Sequence, residues 1–111
     1  MIHPDLAARR IIVAAFAYYV LDDPIMDDAR YDKLSRHVAR NWEDLHPDRK
    51  WALHSAHETK SSGSHIRFSV AAVHACYAWY ARHNRKPPLP MPTRWKSTTK
   101  GRRFVTTTYK G

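Results

Sequence analysis

Between Pro4 and Leu21 apolar residues recur at near-helical spacing, with Leu6, Val13, Phe16 and Val20 forming a stripe that Ile12 and Tyr19 widen. The pattern predicts a first helix over about residues 4–21 with this face in the core. Pro4 suits a first-turn position, where its missing N–H costs nothing, and Asp5 complements the positive end of the helix dipole. Asp22-Asp23-Pro24 ends the helix, because proline biases the residue before it away from the α region and aspartates bond their own backbone in turns. A second helix is predicted from Asp27, as N-cap, to about Leu45. Its apolar stripe is Tyr31, Leu34, Val38, Trp42 and Leu45. Two helices joined by so short a turn pack antiparallel, which carries Tyr18 and Tyr19 towards Asp28 and Asp32.

From His46 to His65 the chain is polar. His46-Pro47-Asp48 reads as a stop signal, Lys60 to Ser64 as a loop, and Trp51 and Leu53 as anchors of a short helical turn. A third helix is predicted from Ser69, as N-cap, to about Asn84. Val70, Val73, Tyr77 and Tyr80 form its stripe, and its alanines allow close packing. Residues 87–92, Pro-Pro-Leu-Pro-Met-Pro, read as a stiff connector of polyproline type. Beyond them, residues 93–111 alternate Thr, aromatic and basic positions around Lys100-Gly101, a pattern compatible with a small β-hairpin. The fold class expected is therefore mainly α: an antiparallel helical hairpin braced by a third helix over residues 1–86, a connector at 87–92, and a basic C-terminal extension with β character at 93–111.

Charge changes this picture more than composition does. The 111 residues carry a net charge of +9, unevenly spread: residues 1–58 hold eight Lys/Arg and all ten acids, whereas residues 59–111 hold eleven Lys/Arg and no acid. Such asymmetry suits a polyanionic partner, because neutralising phosphates releases counterions. Arg94, Trp95, Lys96, Lys100, Arg102, Arg103, Phe104 and Tyr109 combine cations with aromatics, the composition used for backbone contact and base stacking in nucleic-acid binding. An acidic groove on a host protein would attract the same extension, so both partners stay open. The single cysteine, Cys76, excludes an intramolecular disulfide and reads as a buried filler. No run approaches the roughly 18 to 20 apolar residues of a membrane span, and a cytoplasmic protein is expected.

The chemistry gathers around the first turn. Tyr18, Tyr19 and Tyr31 offer aromatic faces for a flat ring. Asp28 and Asp32 can accept hydrogen bonds from ribose hydroxyls and attract a cationic pyridinium. The same residues also serve as a first-turn acid and as helix packing, and spacing alone does not separate the two roles. His54, His57 and Glu58 match no closed metal-ligand spacing, so no metal site is expected. His74 reads as a core or boundary residue.

The run Tyr18-Tyr19-Val20-Leu21-Asp22-Asp23-Pro24, followed by Asp27-Asp28-Ala29-Arg30-Tyr31-Asp32 and later by His46-Pro47, resembles the small N-terminal Ia domain of bacterial NAD-dependent DNA ligases over about residues 8–48. The resemblance extends to small stand-alone ligase-like proteins of bacteriophages, for which the compartment would be the host cytoplasm. It implies a site for the nicotinamide mononucleotide half of NAD, lined by Tyr18, Tyr19, Asp28, Tyr31 and Asp32. Arg30 stands where that family usually has Glu, so the helix start loses its capping-box partner and the site is expected to gain a positive charge. The ligases' Lys-x-Asp-Gly motif is absent from the chain. The resulting expectation is a non-catalytic binding protein that requires no cofactor and takes nicotinamide mononucleotide or NAD as ligand. The alternative is a small basic phage regulator that engages nucleic acid or a host protein through its C-terminal half.

Overall fold

Small side chains decide how this chain packs. The computed structural model describes residues 2–61 and 63–91 and, as backbone only, residues 95–97 and 103–105. Among the described residues the helices are α1 (Pro4–Tyr19), α2 (Asp28–Arg40), α3 (Pro47–Leu53), α4 (Ala56–Ser61) and α5 (Val70–Arg82), with a 3₁₀ turn at Trp42–Asp44. Helix α1 is central. It packs against α2 on one side, α5 on another and α3 near its start, while α4 lies against α2. Ala7, Ala8, Ala14, Ala15 and Ala17 are all buried, which lets several neighbours approach one helix closely.

Two apolar clusters flank α1. Ile11 and Ile12 meet Leu34, Val38, Leu45, Ala52, Leu53 and Ile66, while Phe16, Ala17 and Leu21 meet Val73, Cys76 and Tyr80. Each fully buried large side chain, such as Ile11, Leu53 or Phe16, contributes roughly 1.5–3 kcal/mol. The expected stripe on α1 needs correction. Leu6 is 41% exposed and Tyr19 47% exposed, and the buried face is broader and centred on Ile11, Ile12 and Phe16. Alanines carry little weight in a search for periodicity, yet here they define the faces that other helices cover.

The caps explain most boundaries. Asp27 Oδ1 accepts the Arg30 N–H at 2.7 Å, and Ser69 Oγ accepts the Ala72 N–H at 3.1 Å, so α2 and α5 start where expected. Helix α5 ends in a Schellman arrangement: Arg85 N–H donates to the Tyr80 carbonyl at 2.9 Å, Asn84 N–H donates to the Ala81 carbonyl at 3.3 Å, and Asn84 sits at φ 51°. Helix α2 stops at Arg40, earlier than Leu45, because Asn41 leaves the helical region and its side-chain amide donates to the His37 carbonyl at 2.9 Å. Leu45 still reaches the core through the 3₁₀ turn.

Residues 46–65 depart furthest from expectation. His46-Pro47-Asp48 opens α3 instead of closing a helix: Pro47 occupies the first turn and His46 Nδ1 accepts the Asp48 N–H at 3.0 Å. His3-Pro4-Asp5 does the same for α1, with His3 Nδ1 accepting the Asp5 N–H at 3.1 Å. Helix α3 reverses into α4 at His54, whose φ of 72° and ψ of −60°, with a 2.9 Å bond from Ser55 N–H to the Leu53 carbonyl, make a tight γ-turn. Ser55 Oγ then accepts the Glu58 N–H at 3.1 Å, and the helix runs into the expected loop as far as Ser61. Arg67 straps the next segment back onto α3, donating its Nε to the Trp51 carbonyl at 2.9 Å beneath a guanidinium 4.7 Å from the Trp51 ring.

His74 is exposed, not at the core boundary, because it points away from the face of α5 that meets α1. The proline-rich connector folds back on the domain through Leu89. The Tyr77 hydroxyl lies 3.0 Å from the Leu89 carbonyl and 2.9 Å from that of Pro90. Backbone segments β1 (Trp95–Ser97) and β2 (Arg103–Val105) pair antiparallel with Lys96 opposite Phe104. The turn of the expected hairpin and its flanks lie outside the described residues.

Candidate functional site

The last turn of α1 and the first turn of α2 meet across the turn that joins them. Tyr18 and Tyr19 are neighbours in sequence on a helix, so their side chains diverge by about 100°. Both stay largely exposed, at 52% and 47%, with their rings edge to face at 4.9 Å. On α2, Asp28, Tyr31 and Asp32 fall one turn apart and share a face. All five predicted residues line a single cleft of about 300 Å³. Its floor is made by Ala14 and Ala15, and Pro24, Ile25 and Met26 form the wall on the turn side.

The turn is tied to the far end of the domain. Asp22 takes φ 53°, and Asp23 N–H donates to the Ala17 carbonyl at 2.9 Å. The Asp23 carboxylate accepts the Tyr80 hydroxyl at 2.6 Å and faces Arg85 at 3.3 Å. Burial and then this bond push the Tyr80 phenol well above its ordinary range. The turn that walls the cleft is thus anchored on α5.

Gly63 closes the opposite side, and sequence reasoning missed it. A Cβ there would sit 2.5 Å from the Tyr31 hydroxyl, 3.1 Å from Tyr19 Cε2 and 3.2 Å from the Ala15 Cβ. Only a glycine lets the backbone approach so closely. Its signal was a lone glycine among serines, which reads equally well as an ordinary loop.

Electrostatically the described lining holds two carboxylates, Asp28 and Asp32, and no cation. Arg30 does not bring the positive charge expected of it: it lines a separate groove on the other side of the turn, because residues 28, 31 and 32 share one face of α2 and residues 27 and 30 share another. Burial, then the neighbouring Tyr19 and Asp32, push the Tyr31 phenol up to about 12, while the nearby Ser35 hydroxyl, short of hydrogen-bond geometry, opposes the shift only in part. Tyr31 is therefore a permanent hydrogen-bond donor at neutral pH. Aromatic faces, two acceptors and one donor around an anionic cleft can hold a flat cationic ring and its sugar.

The remaining candidates fall elsewhere. Among the described residues no group of three His, Cys, Asp or Glu side chains could hold a metal ion, His54, His57 and Glu58 included. Burial, then the charge of Asp23, raise the Cys76 thiol to about 12, consistent with a buried filler. The side chains of Arg94, Trp95, Lys96, Lys100, Arg102, Arg103, Phe104 and Tyr109 lie outside the described residues. No described helix is long and apolar enough to cross a membrane.

Comparison with known proteins bears on the first half of the chain. No curated protein and no solved structure matches the chain. Residues 5–52 match the family model of the DNA ligase-like, N-terminal NAD+-binding domain. The stretch that holds the hairpin of α1 and α2, and with it Tyr18, Tyr19, Asp28, Tyr31 and Asp32 of the cleft, is thus similar to the DNA ligase-like, N-terminal NAD+-binding domain.

Proposed function

We propose that this protein is a non-catalytic nicotinamide-nucleotide-binding module, with nicotinamide mononucleotide as the minimal ligand of the tyrosine and aspartate cleft. The observation that carries the reading is the convergence of Tyr18, Tyr19, Asp28, Tyr31 and Asp32 on one cleft inside the stretch matched by the family. Its volume of about 300 Å³ falls at the lower end of small-molecule sites, which suits half a dinucleotide better than a whole one. The pyridinium ring lies among the tyrosines, and Asp28 and Asp32 accept from the ribose hydroxyls. The carboxylates favour the positively charged ring over its neutral, reduced form.

The test is a thermal-shift titration with nicotinamide mononucleotide, followed by calorimetry. Ligand at about 100 times its dissociation constant stabilises the fold by roughly 2.7 kcal/mol. Asp32→Ala removes an exposed carboxylate from the cleft and is expected to abolish the shift while leaving the melting of the free protein unchanged. Equal behaviour of wild type and variant towards ligand would leave the cluster a packing feature.

A further inference from the structure

The described lining of the tyrosine cleft holds two carboxylates and no cation, so it offers a phosphate no charged partner. Across the turn lies a second, larger groove of about 760 Å³ between α1, the start of α2 and α5. Ile25 and Met26 line both compartments, so their side chains are a shared partition. Arg9, Arg10, Arg30 and Arg82 line the groove against one carboxylate, Asp27, which is engaged with the Arg30 N–H at 2.7 Å. Arg9 is paired with Asp5 at 3.5 Å, whereas Arg10, Arg30 and Arg82 form no ion pair among the described residues. At its far side the groove meets Trp79, whose ring stacks on His83 at 4.2 Å and 22°.

We propose that this arginine-lined groove binds the diphosphate and adenosine of a dinucleotide whose nicotinamide half occupies the tyrosine cleft, an inference that rests on the nucleotide reading of that cleft. The electrostatics impose the direction. A phosphate leaving the ribose is repelled by Asp28 and Asp32 and is attracted across the partition, where Arg10 and Arg30 supply planar donors suited to phosphate oxygens. The Trp79 and His83 pair provides a flat wall for a purine. Single-stranded nucleic acid is a weaker candidate, because tracking a strand takes a row of aromatic platforms and the described lining of this groove has the one Trp79 and His83 pair.

Calorimetry on the whole protein with NAD, nicotinamide mononucleotide, ADP-ribose, AMP and an oligothymidylate separates the possibilities. NAD is expected to bind at least about tenfold more tightly than the mononucleotide. The double variant Arg10→Gln, Arg30→Gln, both on the surface, is expected to weaken NAD about tenfold or more and the mononucleotide, which carries only the first of the two phosphates, by a smaller factor. ADP-ribose is expected to bind, weakly, and to lose that binding in the same variant. Equal affinities for NAD and mononucleotide in the wild type, or a variant that weakens both alike, overturn the groove assignment and leave the nicotinamide pocket standing. Binding of neither overturns both readings. Oligothymidylate binding lost in the double variant, with no advantage of NAD over the mononucleotide, gives the groove to nucleic acid and overturns the proposal.

Discussion

Asp5, in the first turn of α1, accepts the backbone N–H of His46 at 3.0 Å, so one carboxylate joins the starts of two helices forty-one residues apart in sequence. Arg49 reaches the same oxygen at 3.3 Å, and Arg9 lies 3.5 Å from the other. Burial works to raise the Asp5 pKa, but the His46 N–H and the two arginines outweigh it and hold the carboxyl below its ordinary value. A depressed pKa gives stability that is present above the unfolded-state value and lost as pH falls through the folded one. Asp5→Asn is expected to cost about 1–3 kcal/mol at neutral pH, with the gap from wild type closing in acid. Denaturant melts from neutral pH down to about pH 3 would show it, and a gap independent of pH would count against the carboxylate's role.

Tyr80 carries the link from the cleft to α5. Tyr80→Phe keeps the ring, which is almost wholly buried, and removes the 2.6 Å bond to Asp23. A loss of roughly 1.5–3 kcal/mol is expected, as for hydrogen bonds to charged groups. If nucleotide affinity also falls, the anchored turn shapes the cleft; an unchanged affinity confines Tyr80 to stability.

Gly63→Ala is the most direct probe of the cleft's closed side. The added methyl would lie 2.5 Å from the Tyr31 hydroxyl, so either the loop or the phenol must shift. Mononucleotide binding is expected to weaken by about tenfold or more, measured by calorimetry. Full affinity in the variant would mean that the loop does not border the bound ligand.

Tyr31 makes an alkaline prediction. With its folded-state pKa raised to about 12, its neutral form stabilises the fold fully below the ordinary tyrosine value near 10, and that contribution is lost as pH rises towards the folded value. The ultraviolet difference between wild type and Tyr31→Phe, titrated in base, is expected to reveal one phenol ionising about two units late. A phenol titrating near 10 would show that Tyr31 is solvated and the cleft open.

Much of the site was legible because its residues are local: Asp27 as N-cap, the one-face spacing of Asp28, Tyr31 and Asp32, and the stop at Asp22-Asp23-Pro24 all act within a few residues. Gly63 and the anchoring of Asp23 by Tyr80 were not legible, because they depend on residues brought together over thirty or more positions. The misreading of His46-Pro47 has a different cause. Proline both follows helices and opens them, and only His-Pro-Asp, a sequence that occurs twice and caps both times through the imidazole, tips the balance. Likewise Ser55 and Glu58 have the spacing of a capping pair that marks α4, but the polar composition around them masked it.

Gly63 stands outside the stretch of 5–52 matched by the family, yet it closes the cleft that this stretch builds. Binding and local opening are consequently linked: any ligand held between the α1–α2 hairpin and Gly63 must be released, or lose contacts, before the segment from 63 onward can swing out. A nucleotide bound there as proposed would act as a clasp between two parts of the chain, and raising its concentration is expected to slow solvent exchange of backbone amides beyond Gly63.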